Sequence, residues 1–166
     1  MQKRVLSKYD GKKYGWFFQM KELLLMVILA VLVFRFVIGV SRVVGSSMYP
    51  ELEEGDIVLY TRLGSDYAYG DIVFVKMPSG EQFVKRVVAL GGDTVDIRDG
   101  RLYVNDKEEA AGYVNGETAA AEGITYPYTV EEGRIFVLGD NRAVSTDSRS
   151  FGAVSKRQVK GKLVWY

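Results

Sequence analysis

The sequence predicts a mostly β domain carried behind one N-terminal transmembrane helix. Residues 23–34 are unbroken apolar sequence, and the apolar character resumes past Arg35 with Phe36, Val37, Ile38 and Val40. From Val43 onward no long apolar period of helical spacing occurs. Short β-branched and aromatic runs alternate instead with Gly-Asp turns. Eighteen Gly against three Pro, with eleven Tyr, suit a turn-rich β protein. At 166 residues the chain is long enough for one domain with a real core and a short anchor.

The anchor comes first. Residues 1–13 carry Lys3, Arg4, Lys8, Lys12 and Lys13 against Asp10. A span needs about 20 residues, and two frames supply them. One covers 23–40 and includes Arg35; the other covers about 14–34 and includes Lys21-Glu22. In either frame the charges sit near an end, where long side chains snorkel. The resulting organisation is a basic cytoplasmic N-terminus over 1–20, a transmembrane anchor over 21–40, and an extracytoplasmic domain over 41–166. The basic flank sets that orientation in the plasma membrane, in a single pass. A buried core helix would be shorter. A removable leader would be cut near Gly39-Val40-Ser41 or Gly45-Ser46-Ser47; cleavage there would remove or cut the motif discussed below, so an uncleaved anchor is expected.

In the domain, Gly55-Asp56-Ile57-Val58, Gly70-Asp71-Ile72-Val73 and Gly92-Asp93-Thr94-Val95 each read as a turn feeding a strand. Strands are expected at 57–61, 72–77, 82–90, 94–98, 101–104, 134–138 and 161–166. Asp99-Gly100 makes 94–104 a hairpin. Residues 103–133 break this rhythm, being polar and rich in Ala, Gly and Glu, and are expected to form a loop-like insertion.

Composition narrows the chemistry. Twenty-two basic against 21 acidic residues disfavour a nucleic-acid partner. With no Cys and no His, thiolate metal sites, a cysteine nucleophile and a Ser-His-Asp triad cannot be built. No motif for a metal or organic cofactor occurs, so none is expected. A serine hydrolase would have to use Lys or a carboxylate as its base.

Lys85 stands in the 82–90 run between apolar neighbours. On a strand, Phe83, Lys85 and Val87 share one face. An ordinary lysine, with a pKa near 10.4, is neutral only about once in two thousand at pH 7. Apolar burial lowers that value and yields an amine able to take a serine proton. The plainer reading is a strand lysine at a sheet edge. Ser47 follows Gly45-Ser46 and precedes Pro50 in a turn that can present a hydroxyl and a backbone N–H together. Its plainer reading is a polar turn after an anchor. Ser145 and Ser148 flank Asp147, which with Arg149 reads first as a structural ion pair.

Four blocks in order decide between these readings: Ser47-Met48-Tyr49-Pro50; Gly70-Asp71-Ile72-Val73; Lys85-Arg86-Val87-Val88 with Gly91-Gly92-Asp93; and Gly139-Asp140-Asn141-Arg142 with Ser145-Thr146-Asp147-Ser148-Arg149. Behind an N-terminal anchor, over about residues 20–155, they resemble the bacterial type I signal peptidases of the peptidase S26 family, in their short, single-anchor Gram-positive form. The resemblance implies a domain of coiled antiparallel β-sheet, of the kind shared with repressor-type proteases. It implies a membrane-bound serine endopeptidase that removes signal peptides from exported preproteins after an Ala-x-Ala-like site. Ser47 is then the nucleophile and Lys85 the general base. Ser145 orients the lysine amine, and Asp140, Asp147, Arg149 and Arg86 brace the site, with Arg86 pairing Asp140. Val43, Met48, Leu52, Phe83 and Val84 line the substrate pockets. The Ser47 N–H is one oxyanion donor. Gly45 stands where some members carry a second, serine donor.

Glu51 departs from the usual Thr after the proline, and Ala143-Val144 from a commonly polar pair. The implied partners are secretory preproteins, the lipid bilayer and the secretion translocon. Phe34, Phe36, Val37 and Ile38 are the candidates for lipid contact, and Ala119-Ala120-Ala121 offers a self-cleavage site. Two rivals compete with this reading. A self-cleaving repressor-type protease would need a DNA-binding domain where the anchor stands, and its Ala-Gly bond, Ala111-Gly112, follows the lysine. An inactive membrane-tethered β domain that binds exported polypeptides is the alternative from another class.

Overall fold

The computed structural model describes residues 7–109 and 112–166, with side chains from Gly15 onward. Lys3 and Arg4, the side chains of Lys8, Asp10, Lys12 and Lys13, and the Ala111-Gly112 bond lie outside the described residues. The chain divides into two units, Met1–Ile38 and Gly39–Tyr166.

The first unit is one helix, α1 (Ser7–Phe36). Its stretch Gly15–Phe36 is 22 residues long with mean hydropathy 2.2, enough to cross a membrane, and none of it is buried by protein. The helix ends at Phe36, short of the anchor boundary at residue 40 expected from sequence. Ile38–Arg42 is a strand instead, β1. Gly39 requires this: a Cβ there would sit 2.0 Å from Cζ of Tyr60, so the backbone at 39 lies flat on that ring.

The second unit is β-rich, as expected. β2 (Ile57–Thr61), β3 (Ile72–Lys76), β4 (Gln82–Leu90), β5 (Thr94–Arg98), β6 (Arg101–Val104), β7 (Lys107–Glu108), β8 (Tyr128–Thr129), β9 (Arg134–Leu138), β10 (Val154–Ser155) and β11 (Val159–Trp165) form two sheets. The larger has the order β1-β2-β11-β3-β4-β9-β10, and the smaller β7-β6-β5-β8. The pairs from β2 through β10 are antiparallel. The inserted segment is not entirely loop, since β7 and β8 complete the smaller sheet and Asn115 bridges to Asn141. Two-residue strands carry no readable alternation, so sequence pattern could not find them.

The larger sheet is buried on both faces. Ile72 and Phe74 pack with Val43, Met48, Leu52, Val58 and Tyr60, whereas Val73 and Val75 pack with Val87, Ile135 and Val137. This is why β3 reads as a continuous apolar run rather than an alternating one. Val88, Phe136 and Leu138 join the larger sheet to the smaller through Val95 and Leu102. Residues 41–44, at and after the end of β1, and 82–85 of β4 border one cleft, although β2, β11 and β3 lie between their strands. The sheet therefore coils until its first strand faces its fifth.

Gly161 sets the register of β11 at the middle of this coil. A Cβ there would meet the Thr61 carbonyl oxygen at 2.2 Å and Tyr60 Cδ2 at 2.5 Å. Gly161→Ala should cost about 1–3 kcal/mol, the usual range for overpacking a dense interior. A lowered urea midpoint with unchanged slope, in detergent, would show it.

Candidate active site

Ser47 sits on a loop that closes on itself. Val43 N–H donates to the Asp56 carbonyl (2.8 Å), Gly55 N–H to the Val43 carbonyl (3.0 Å), and Leu52 N–H to the Met48 carbonyl (2.9 Å). Gly45 turns the chain at φ +80°, a left-handed value that favours glycine. Asn141 holds the Ser47 turn from the other side. Its N–H donates to the Ser47 carbonyl at 3.0 Å and its Nδ2 to the Ser46 carbonyl at 3.1 Å. The Ser47 N–H itself donates to no described group.

Lys85 reaches this turn from β4. Its Nζ lies 2.7 Å from Ser47 Oγ, 38 positions away in the chain, and 5.5 Å from the centre of the Phe83 ring. The residue is 2% exposed and makes no ion pair among the described residues. Burial lowers its pKa from 10.5 to about 8; Asp147 and Asp140 pull it upward and Arg149 pushes it further down. At pH 7 about one molecule in ten then carries the neutral amine, against about one in three thousand at the ordinary value.

The next residue is held quite differently. Arg86 donates to Asp140 twice, Nε to Oδ1 at 2.8 Å and Nη2 to Oδ2 at 2.6 Å, and Nη1 donates to the Gly70 carbonyl at 3.0 Å. Tyr113 stacks on the guanidinium with 3.9 Å to its ring centre, and Glu51 stands 3.9 Å off. Asp147 pairs with Arg149 at 2.8 Å and accepts the Gly139 N–H at 3.1 Å. Arg149 also donates to the Arg142, Ser145 and Ala119 carbonyls. The loop 139–149 is thus braced against both Ser47 and β4.

Ser145 departs from expectation. Its Oγ is buried and makes no hydrogen bond, to Lys85 or to anything else described. The lysine amine is turned to Ser47, while Ser145 packs against Gly139, where an added Cβ would fall 2.2 Å from Ser145 Oγ and 2.5 Å from the Ser47 carbonyl oxygen. Gly139 is what lets the two serines approach.

The cleft beside the pair has a volume of about 240 Å³. Val43, Met48, Phe83 and Val84 line it. Leu52 does not; it is fully buried behind the Ser47 turn in the core with Val58 and Phe74. Ser41, Arg42, Val44, Phe74 and Gln82 complete the lining. Sequence reading also missed Glu109, Tyr113 and Thr118. Arg142, visible in the Gly-Asp-Asn-Arg motif, is fully buried and donates to Glu109 and Thr118, each at 2.6 Å. The inserted segment carried no signal for such partners.

The sequence profile of the family described as "Signal peptidase, peptidase S26" matches residues 16–166. The chain belongs to that family. Signal peptidase I of Bacillus licheniformis is 36% identical over 170 residues, covering 93% of this chain and 90% of that one. Signal peptidase I S of Bacillus subtilis (strain 168) is 33% identical over 160 residues, covering 88% and 86%. A crystal structure of a signal peptidase I from Enterococcus faecalis V583 is 33% identical, with TM-score 0.48, over 60% of this chain and 97% of that one. Membership makes this chain a peptidase, hence a hydrolase, of a family that processes signal peptides.

Two stability effects should follow from the neighbouring cations. Breaking the buried pair by Asp140→Ala or Arg86→Met alone should cost about 3–5 kcal/mol, and Arg86→Met with Asp140→Leu together much less; chemical denaturation of the three variants would show it. Lys85 has its folded pKa below its unfolded one. Its charge therefore penalises the fold below about pH 8, and the penalty vanishes as pH rises to 10.5. Lys85→Met should be more stable than wild type at pH 7, by up to about 3 kcal/mol at roughly 1.36 per pH unit. The difference should shrink through that window.

Proposed function

We propose that this chain is a membrane-anchored serine endopeptidase that removes signal peptides from exported preproteins, with Ser47 as nucleophile and Lys85 as general base. The observation that carries the reading is the 2.7 Å contact between Ser47 Oγ and a buried, unpaired amine whose pKa lies about 8. That pair opens on a small apolar cleft in a chain of the signal peptidase family.

Two strand edges stand open beside the dyad. β9 pairs with β4 only from Arg86 onward, which leaves 82–85 free on that side, and β1 ends the sheet. An extended preprotein can add to these edges, as peptides do to exposed strands. Val43, Met48, Phe83 and Val84 then accept small side chains, in the Ala-x-Ala manner. Ser47 Oγ attacks the carbonyl carbon after the second small residue while Lys85 takes its proton. The unused Ser47 N–H receives the developing oxyanion. The intermediate collapses, the new amino terminus of the mature protein takes the proton from Lys85, and the signal peptide remains as an ester on Ser47. Lys85 next deprotonates a water that attacks this ester, which frees the signal peptide with a carboxylate end and restores the serine. Ser145, whose buried Oγ makes no hydrogen bond here, is the group available to orient the amine once Lys85 turns from Ser47 in this scheme. Asp140, Asp147, Arg149 and Arg86 hold the frame. The basic N-terminal flank puts the amino end in the cytoplasm and the peptidase domain outside, where the bilayer and the translocon are its neighbours.

Full-length protein in detergent, given a preprotein with an Ala-x-Ala site, tests this. Wild type should cut after the second Ala. Ser47→Ala and Lys85→Ala should remain folded and lose on the order of 10⁴-fold or more. Cleavage by Ser47→Ala at the wild-type rate would rule the serine out as nucleophile. With a neutral lysine required, kcat/KM should rise with pH, reach half its maximum near pH 8 and level off above. A profile flat from about pH 6 to 10 would remove Lys85 as the base.

A further inference from the structure

The cleft carries a charge that the dyad does not use. Arg42 lines it at the end of β1, and with Lys85 it is the only charged residue of the lining; no carboxylate borders the cleft. Arg42 is exposed and makes one hydrogen bond, from Nε to the Gly55 carbonyl at 3.3 Å. Glu53, Glu54 and Asp56 stand in the adjoining turn, yet none comes within ion-pairing distance of it. Arg86, Arg98, Arg101, Arg134, Arg142 and Arg149, by contrast, each have a carboxylate oxygen within 3 Å. Arg42 faces the cleft with no carboxylate in ion-pairing distance among the described residues.

Strand alternation indicates which substrate side chain would meet it. Gly39 and Val43 are buried and Ser41 partly so, whereas Val40, Arg42 and Val44 are exposed. A peptide laid extended beside this edge takes up the same two-residue alternation. With the two small side chains turned inward toward Val43 and Met48, the residue between them stands on the outer row with Arg42 and Val44. We propose that Arg42 is a specificity-determining residue that favours a carboxylate, and disfavours a cation, between the two small residues of the cleavage site. The inference rests on the signal peptidase reading and adds to it a substrate class, preproteins with Asp or Glu at the middle position.

Three otherwise identical substrates, carrying Ala-Asp-Ala, Ala-Asn-Ala and Ala-Lys-Ala, distinguish the two ideas. The assay belongs at about pH 9, where most Lys85 is neutral and adds no charge of its own, while a substrate lysine stays charged. An exposed ion pair changes an equilibrium by a few-fold. Wild type in low salt should therefore prefer Asp over Lys by about tenfold in kcat/KM, attraction and repulsion combined, with Asn between. Arg42→Gln should bring the ratio to about one, Arg42→Glu should invert it, and high salt should flatten all three. Each variant's Asp and Lys rates are read relative to its own Asn rate, so a change in overall activity leaves the ratio interpretable. An Asp-to-Lys ratio unchanged in Arg42→Glu would overturn the assignment of Arg42 while leaving the peptidase intact. Failure of wild type to cut even the Asn substrate would overturn the peptidase reading and this inference with it.

Discussion

Everything in this domain depends on keeping one amine out of water without giving it an acid. Lys85 is almost wholly buried, yet no carboxylate pairs with it. Burial therefore wins over attraction, and its pKa falls to about 8. A paired carboxylate would reverse that balance and leave the lysine a spectator cation. The adjacent residue shows the contrast. Arg86 meets the same interior with a bidentate acid, a carbonyl and an aromatic face, and stays charged as part of the frame. Two neighbouring cations on one strand thus serve opposite ends, because alternation sends them to different surroundings.

The sheet supplies the geometry for this. By coiling through β2, β11 and β3, it brings the end of β1 and the Ser47 turn round to the open start of β4. Glycines pass where the turns are tightest: Gly39 under Tyr60, Gly161 against Thr61, and Gly139 between Ser145 and the Ser47 carbonyl. The loop 139–149 then fastens the two halves. Asn141 holds Ser46 and Ser47, Asp140 holds β4, and Asp147 holds the loop itself through Gly139 and Arg149. The inserted segment joins this brace as well, since Asn115 N–H donates to the Asp140 carbonyl and the Asn115 carbonyl accepts from Arg142 N–H.

Much of the architecture was legible in the chain. The span, the Gly-Asp turns and the 57–61, 82–90, 94–98, 101–104 and 134–138 strands follow from local rules of apolar length, turn chemistry and β propensity. The helix ends at Phe36, before the boundary expected at 40 because Ile38 and Val40 are as apolar as helix residues; the ring of Tyr60 marks Gly39 as sheet. Leu52 was counted with the cleft because a leucine near a nucleophile can face either way, and the core decides which. The partners of Arg142 and Arg86 in the polar segment 109–118 left no trace in local pattern, since they match across long stretches of chain.

By itself, then, the sequence determined an apolar helix long enough to cross a membrane, a β domain and the few residue types from which a base could be drawn, because with no His or Cys only Lys or a carboxylate remains. Only the tertiary structure decided which lysine is stripped of water, which serine it touches and which arginine faces the cleft. Those properties depend on burial and on contacts between residues as far apart as Ser47 and Lys85 or Arg86 and Asp140. They exist only once the sheet has coiled.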